Sequence, residues 1–109
     1  MGRNKIAEDV IARMAEFARE IPDRFWNIDS MELLLDKLYD AAGLLEKNNA
    51  GGTRPFHFSI DKGEMLTQVQ NAIEYLTKQF GRRPNADQIA ILHKLNVYKI
   101  GLLNYLRKK

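Results

Sequence analysis

Apolar residues recur every three or four positions along most of the chain, which is the spacing of one face of an α-helix. In the first such run the recurring residues are Ile6, Val10, Met14, Phe17 and Ile21. This run predicts an amphipathic helix from about residue 5 to residue 20, which the following proline would end because it lacks a backbone N–H. Further runs predict four more helices. We therefore expect an all-α fold with about five helices in one compact domain, residues 1–109.

Short polar segments indicate where three of these helices begin. Asp29, Asp61 and Asn85 are each followed three residues later by Glu or Gln. This spacing is typical of a capping box, in which each side chain accepts a hydrogen bond from the other residue's backbone N–H at the first turn. The later helices are expected to run from about 29 to 47, from about 61 to 80, from about 86, and from about 97 to 107.

The stretch 49–55 separates the second and third predicted helices. It contains two glycines and ends with proline, which favours a linker. Phe56, Phe58 and Ile60 then alternate with two polar residues, and this alternation predicts a short extended segment near residues 55–60.

Composition narrows the class of function. The chain has no cysteine, so disulfides, thiolate metal sites and cysteine nucleophiles are excluded. His57 and His93 lie in no metal-ligand spacing, and the two serines lack the sequence context of a nucleophile. We therefore expect no catalytic residues, no metal, no cofactor and no small-molecule substrate, and hence no enzyme. No apolar run is long enough for a signal peptide or a membrane span, so we expect a cytoplasmic protein without a membrane partner.

Charge is distributed unevenly, although the net formal charge is only +3. Residues 1–50 carry 7 Lys or Arg against 10 Asp or Glu, whereas residues 51–109 carry 10 against 4. Because DNA phosphates attract basic surfaces and repel acidic ones, we expect the basic half to bind nucleic acid. The acidic, leucine-rich half is then expected to form a homodimer or bind another protein. The residues predicted for that partner interface are Trp26, Leu34, Leu35, Leu38 and Tyr39.

Small and aliphatic residues in the basic half have the spacing of a helix-turn-helix. Ala90 is small, Leu95 follows five residues later, and Ile100 follows ten residues later. In a tight helix-turn-helix, a small residue lets the second helix cross close over the first, and aliphatic residues fill the turn and anchor the second helix. Asn96 could cap that second helix. Residues 75–107 therefore resemble the helix-turn-helix family of DNA-binding domains. Their GRRPN segment is also similar to one that precedes the helical domains of bacterial sigma factors.

The resemblance implies a small protein that binds double-stranded DNA, such as a transcriptional regulator or an accessory DNA-binding factor. The residues that would face bases in the major groove are Asn96, Val97, Tyr98, Lys99 and Asn104. The residues that would contact phosphates are Arg82, Arg83, Lys94, Arg107, Lys108 and Lys109.

Two other functions are compatible with the same sequence. In one, the chain is a non-enzymatic helical adaptor that binds another protein through its leucine-rich or basic face. In the other, the extended segment enters the major groove as part of a ribbon-helix-helix dimer, with His57 and Ser59 pointing outward. Pro55 disfavours this second alternative because it removes a donor from the strand ladder.

Overall fold

Four α-helices and one turn of 3₁₀ helix form the part of the chain that the structure, a computed structural model, describes, namely residues 5–44 and 56–108. In chain order they are α1 (Glu8–Glu20), the 3₁₀ turn η1 (Asp23–Phe25), α2 (Ile28–Ala41), α3 (Lys62–Phe80) and α4 (Ala86–Arg107). The all-α expectation is confirmed, since no strand occurs in these residues. Within residues 5–44 and 56–108 there are four α-helices rather than about five.

Side chains cap α3 and α4 at the positions that the sequence predicts. Asp61 Oδ1 accepts a hydrogen bond from the Glu64 N–H at 3.0 Å. Asn85 and Gln88 form the reciprocal capping box, with a hydrogen bond of 2.8 Å in each direction. These caps satisfy N–H groups that have no partner within the helix, and they set where α3 and α4 begin.

The start of α2 differs from the prediction. Asn27, not Asp29, is its N-cap: Asn27 Oδ1 accepts a hydrogen bond from the Ser30 N–H at 3.0 Å, and the helix begins at Ile28. Asp29 lies instead in the first turn, where its negative charge favours the positive end of the helix dipole.

The end of α2 also differs from the prediction. The helix ends at Ala41 because Gly43 adopts the left-handed region, with a φ of 75°. The Gly43 N–H donates to the Asp40 carbonyl at 3.0 Å, and the Leu44 N–H donates to the Tyr39 carbonyl at 2.8 Å. This pair of bonds is the Schellman motif, which ends the helix several residues before the predicted position.

One continuous helix, α4, occupies the region where the sequence predicts two helices joined by a turn near Lys94. Residues 86–100 contain neither glycine nor proline, so no residue type there interrupts the i→i−4 hydrogen bonds. Asn96 caps no helix; its Nδ2 donates to the Leu92 carbonyl at 2.9 Å, one turn earlier in the same helix. The predicted turn and the predicted fifth helix are therefore wrong.

The core is shared by both halves of the chain. Helix α4 lies at its centre and contacts α1, α2 and α3, while α1 also contacts α2. The acidic and basic halves are therefore parts of one packed unit. The largest side chains that are fully buried in it are Met31, Leu34, Leu35, Leu38, Met65, Val69, Leu76, Ile91 and Leu95.

The predicted partner interface lies largely inside this core. Leu34, Leu35 and Leu38 are fully buried, Trp26 is 7 % exposed, and Tyr39 is half-buried. Burial raises the pKa of the Tyr39 hydroxyl to about 12, and the neighbouring Tyr75 hydroxyl adds to the shift. Because the chain's own helices cover the leucine-rich face of α2, these side chains do not form a surface for a partner. The prediction is corrected accordingly.

The segment before α3 crosses α2 without forming a strand. The backbone N–H groups of Phe56 and Phe58 donate to the carboxylates of Asp36 and Glu32, at 2.8 and 2.9 Å. The two phenyl rings turn inward, with their centroids 5.0 Å apart, whereas Ile60 is 95 % exposed. The predicted alternation thus holds for the two phenylalanines only. The predicted linker before them lies outside the described residues.

Candidate interaction surface on α4

The outer face of α4 is largely exposed and carries both apolar and polar residues. The helix buries one face through Ile91, Lys94, Leu95 and Leu102. The opposite face carries six residues whose spacing alternates between four and three, and we call them the outer stripe. They are Ile89, His93, Asn96, Ile100, Leu103 and Arg107.

Two isoleucines dominate the outer stripe. Ile89 is 54 % exposed and Ile100 is 57 % exposed, and they lie three helical turns apart on the same face. A surface helix normally confines its apolar residues to the buried face, so a helix that is apolar on both faces indicates a second contact. The alternating spacing is also that of a seam along which another helix packs.

Positive charge flanks the outer stripe at both ends. Arg82 and Arg83 precede α4, Arg107 and Lys108 end it, and all four are exposed. None of them forms an ion pair within the part of the chain that the structure describes. Asp87 is the only acidic residue of α4, and Arg19 of α1 pairs with it at 2.8 Å. The outer face therefore combines apolar and cationic groups without a free carboxylate on α4.

The structure separates the residues predicted to read DNA bases. Asn96 and Asn104 are exposed, whereas Val97 and Lys99 are half-buried. Tyr98 lies in a different environment, which excludes it from a common base-reading face. Its hydroxyl contacts the sulfur of Met65 at 3.4 Å, and its ring lies 5.9 Å from that of Phe58.

Burial also affects the chemistry of Tyr98. It raises the pKa of the Tyr98 hydroxyl, and the nearby carboxylates of Glu32 and Asp29 add to the shift. The side chain is therefore a packing contact between α4 and α3 that remains protonated at neutral pH, and the prediction that it faces bases is wrong.

The residues predicted to contact phosphates are also divided. Arg82 and Arg83 lie at one end of α4, and Arg107 and Lys108 at the other, so about 33 Å of helix separates the two pairs. Lys94 is only 5 % exposed and points away from the outer stripe, which makes its predicted phosphate contact wrong. Lys109 lies outside the described residues.

Lys94 instead joins η1 to α4. Its ammonium group donates to the Ile21 carbonyl and, at 2.6 Å, to Asp23 Oδ1. It also lies 5.2 Å from the centre of the Trp26 ring, close enough for a cation–π interaction. The spacing of apolar residues in α4 could have predicted this burial. Lys94 lies three residues after Ile91 and therefore on the same, buried face of the helix.

Asp23 is the acceptor at the centre of this junction. His93 Nε2 lies 2.9 Å from Asp23 Oδ2, on the side opposite the contact with Lys94. The hydrogen bond from Lys94, followed by that from His93, lowers the pKa of Asp23 below its ordinary value of 3.8. The carboxylate is thus held ionised between two nitrogen donors, which ties η1 to α4.

An open groove of about 450 Å³ adjoins this junction, between α1, η1 and α4. We call it the α1–α4 groove. Three of its lining residues are small: Ala18 of α1, which is fully buried, and Ala86 and Ala90 of α4. Two residues of the outer stripe, Ile89 and His93, also line it. The remaining lining residues are Arg19, Ile21, Pro22, Asp23 and Lys94.

Comparison with known proteins identifies no family. No protein-family model, curated protein or solved structure matches the chain. Within residues 5–44 and 56–108, no helix is long and apolar enough to cross a membrane. The same residues contain no group of three or more His, Asp or Glu side chains that could hold a metal ion.

Proposed function

We propose that this protein is a helical interaction module that binds one helix of a partner protein along the outer stripe of α4. The exposure of Ile89 and Ile100, three turns apart on a continuous helix, carries the proposal. Apolar residues on a stripe with alternating spacings of three and four form the arrangement along which an amphipathic helix packs.

The charges favour an acidic partner. Arg82 and Arg83 flank the stripe at one end, Arg107 and Lys108 at the other, and α4 has no free carboxylate to compensate them. Complementary potentials select partners and speed encounter. The partner is therefore a helix with an aliphatic stripe in its middle and Asp or Glu towards both ends.

Double-stranded DNA is the second candidate, and a specific observation favours it. Asn96 and Asn104 are exposed on the outer side of α4, with uncommitted cations at both of its ends. Two features favour the protein partner instead. Lys94 and Tyr98 face inward, and the two most apolar exposed residues of the outer stripe are isoleucines, which can contact only the thymine methyl group of a base.

A titration with defined probes tests the proposal. The probes are a fluorescent helical peptide with leucines at the stripe spacing and glutamates at both ends, the same peptide with lysines in place of glutamates, and a mixed-sequence duplex. Fluorescence anisotropy should show that the glutamate peptide binds at least about tenfold more tightly than the lysine peptide, a difference of about 1.4 kcal/mol.

Matched variants locate the surface. I100E places a charge in the outer stripe, whereas L33E makes a comparable change at Leu33, an exposed leucine of α2. We expect I100E to lower the affinity for the glutamate peptide by about tenfold or more. L33E should lower it by less than about twofold, although both substitutions lower the net charge equally.

Three outcomes would overturn the proposal. The first is equal binding of the two peptides, or equal effects of the two variants. The second is duplex retention that falls steeply with salt and is lost when Arg82 and Arg83 are replaced by alanine, which would establish the DNA candidate. The third is a concentration-dependent dimer, detected by light scattering, that I100E abolishes and L33E does not. In that case a second copy of the chain covers the stripe.

A further inference from the structure

We infer that the α1–α4 groove receives one bulky apolar side chain of the partner helix, such as phenylalanine or leucine, which anchors the complex. The inference rests on the proposed function and adds a specificity element to it: the outer stripe binds the helix, and the groove selects one residue of that helix.

The groove lies next to the outer stripe. Ile89 and His93 belong both to the outer stripe and to the groove wall, so a helix lying on the stripe passes the mouth of the groove. The accessible small residues of its wall are Ala86 and Ala90 of α4, since Ala18 of α1 is 0 % exposed. At about 450 Å³ the groove falls within the range of sites that hold small ligands, about 300–1,000 Å³, and is therefore large enough for one side chain.

The charged residues that line the groove determine which kind of side chain it favours. Each ionisable lining residue already has a partner: Arg19 pairs with Asp87 at 2.8 Å, and Asp23 accepts from Lys94 at 2.6 Å and contacts His93 at 2.9 Å. A charged occupant would meet opposite charges that are already paired and about half exposed, so it would gain little from them. An apolar side chain leaves these pairs intact and covers the alanine and isoleucine surface. The groove is therefore selective for a neutral, apolar group.

A coupling experiment tests the inference. The probe is the glutamate peptide in two forms, with phenylalanine or alanine at a given stripe position, and each stripe position is tried in turn. The protein is used as wild type and with the groove filled by A90L or, separately, by A86L. The control is A12L, which adds the same side chain at an exposed position of α1 that does not line the groove.

We expect one phenylalanine peptide to bind wild type at least about tenfold more tightly than its alanine form. The ratio of the two affinities should fall below about threefold for the A90L or A86L protein and remain unchanged for A12L. This comparison is a double-mutant cycle, which isolates the contact between the two changed groups. Because Ala86 is exposed, A86L provides the test if A90L does not fold.

The outcomes separate the inference from the proposed function. If both peptide forms bind equally at every position, or if the phenylalanine advantage survives in the filled variants, the groove is not the anchor site. The function would still stand in that case, provided that I100E weakens binding by about tenfold or more. If neither peptide form binds wild type, the proposed function fails and the inference with it.

Discussion

Replacing Lys94 with methionine tests the contact that joins η1 to α4. Lys94 is 5 % exposed, and its ammonium group donates to the Ile21 carbonyl and to Asp23. Methionine keeps an unbranched apolar stem, so K94M removes the donors and leaves little space unfilled. The Ile21 carbonyl then loses a charged donor, and a hydrogen bond to a charged group contributes about 1.5–3 kcal/mol.

The expected effect of K94M is a loss of about 2 kcal/mol in the free energy of unfolding. The contact with Asp23 is left out of this figure because that side chain is 51 % exposed and can be rehydrated, so its contribution is smaller. With a urea dependence of about 1–3 kcal/mol per molar, the midpoint of urea unfolding should fall by roughly 1 M. The fluorescence of Trp26, the only tryptophan, reports the transition.

The control for this prediction is K37M, which makes the same change at an exposed lysine of α2 and should alter stability by less than about 0.5 kcal/mol. If K94M is as stable as wild type, desolvation of the buried ammonium costs as much as its hydrogen bonds contribute. That result would refute the assignment of Lys94 as a stabilising contact between η1 and α4.

Three further predictions concern single contacts. The pKa of Asp23 is lowered in the folded chain, so its contribution to stability is complete above the unfolded value and is lost as the pH falls through the folded one. The difference in urea midpoint between wild type and D23N should therefore be present at neutral pH and shrink below about pH 4; a constant difference would contradict this. G43A should destabilise by about 1 kcal/mol because of the left-handed φ at Gly43, whereas G101A, inside α4 with open space at its Cβ, should stabilise by about 0.5–1 kcal/mol. Effects of the same sign in thermal unfolding would contradict this account. N85A should cost about 1 kcal/mol by removing the cap of α4, and unchanged helicity and stability would show that the cap contributes nothing.

The sequence predicted the helix ends correctly where a single residue, such as a capping side chain or a glycine, determines the local backbone conformation. The capping side chains of Asp61 and Asn85 mark the starts of α3 and α4, and Gly81, with a φ of 88°, marks the end of α3. The same kind of signal was present at Gly43 and accounts for the end of α2. The turn predicted near Lys94 rested on the spacing of Ala90, Leu95 and Ile100, which a continuous helix satisfies equally well.

The periodicity and caps of the sequence thus determined that the chain is helical and where most helices begin. Only the tertiary structure decided which apolar face is covered. Leu34 and Leu38 became core because α1 and α4 contact α2, while Ile89 and Ile100 stayed exposed because no described element covers that side of α4. The spacing of apolar residues predicts that a helix face is apolar. Whether that face is buried depends on which other part of the protein packs against it. The same reason explains Lys94, whose burial requires Asp23 and the Ile21 carbonyl to meet it from a distant part of the chain.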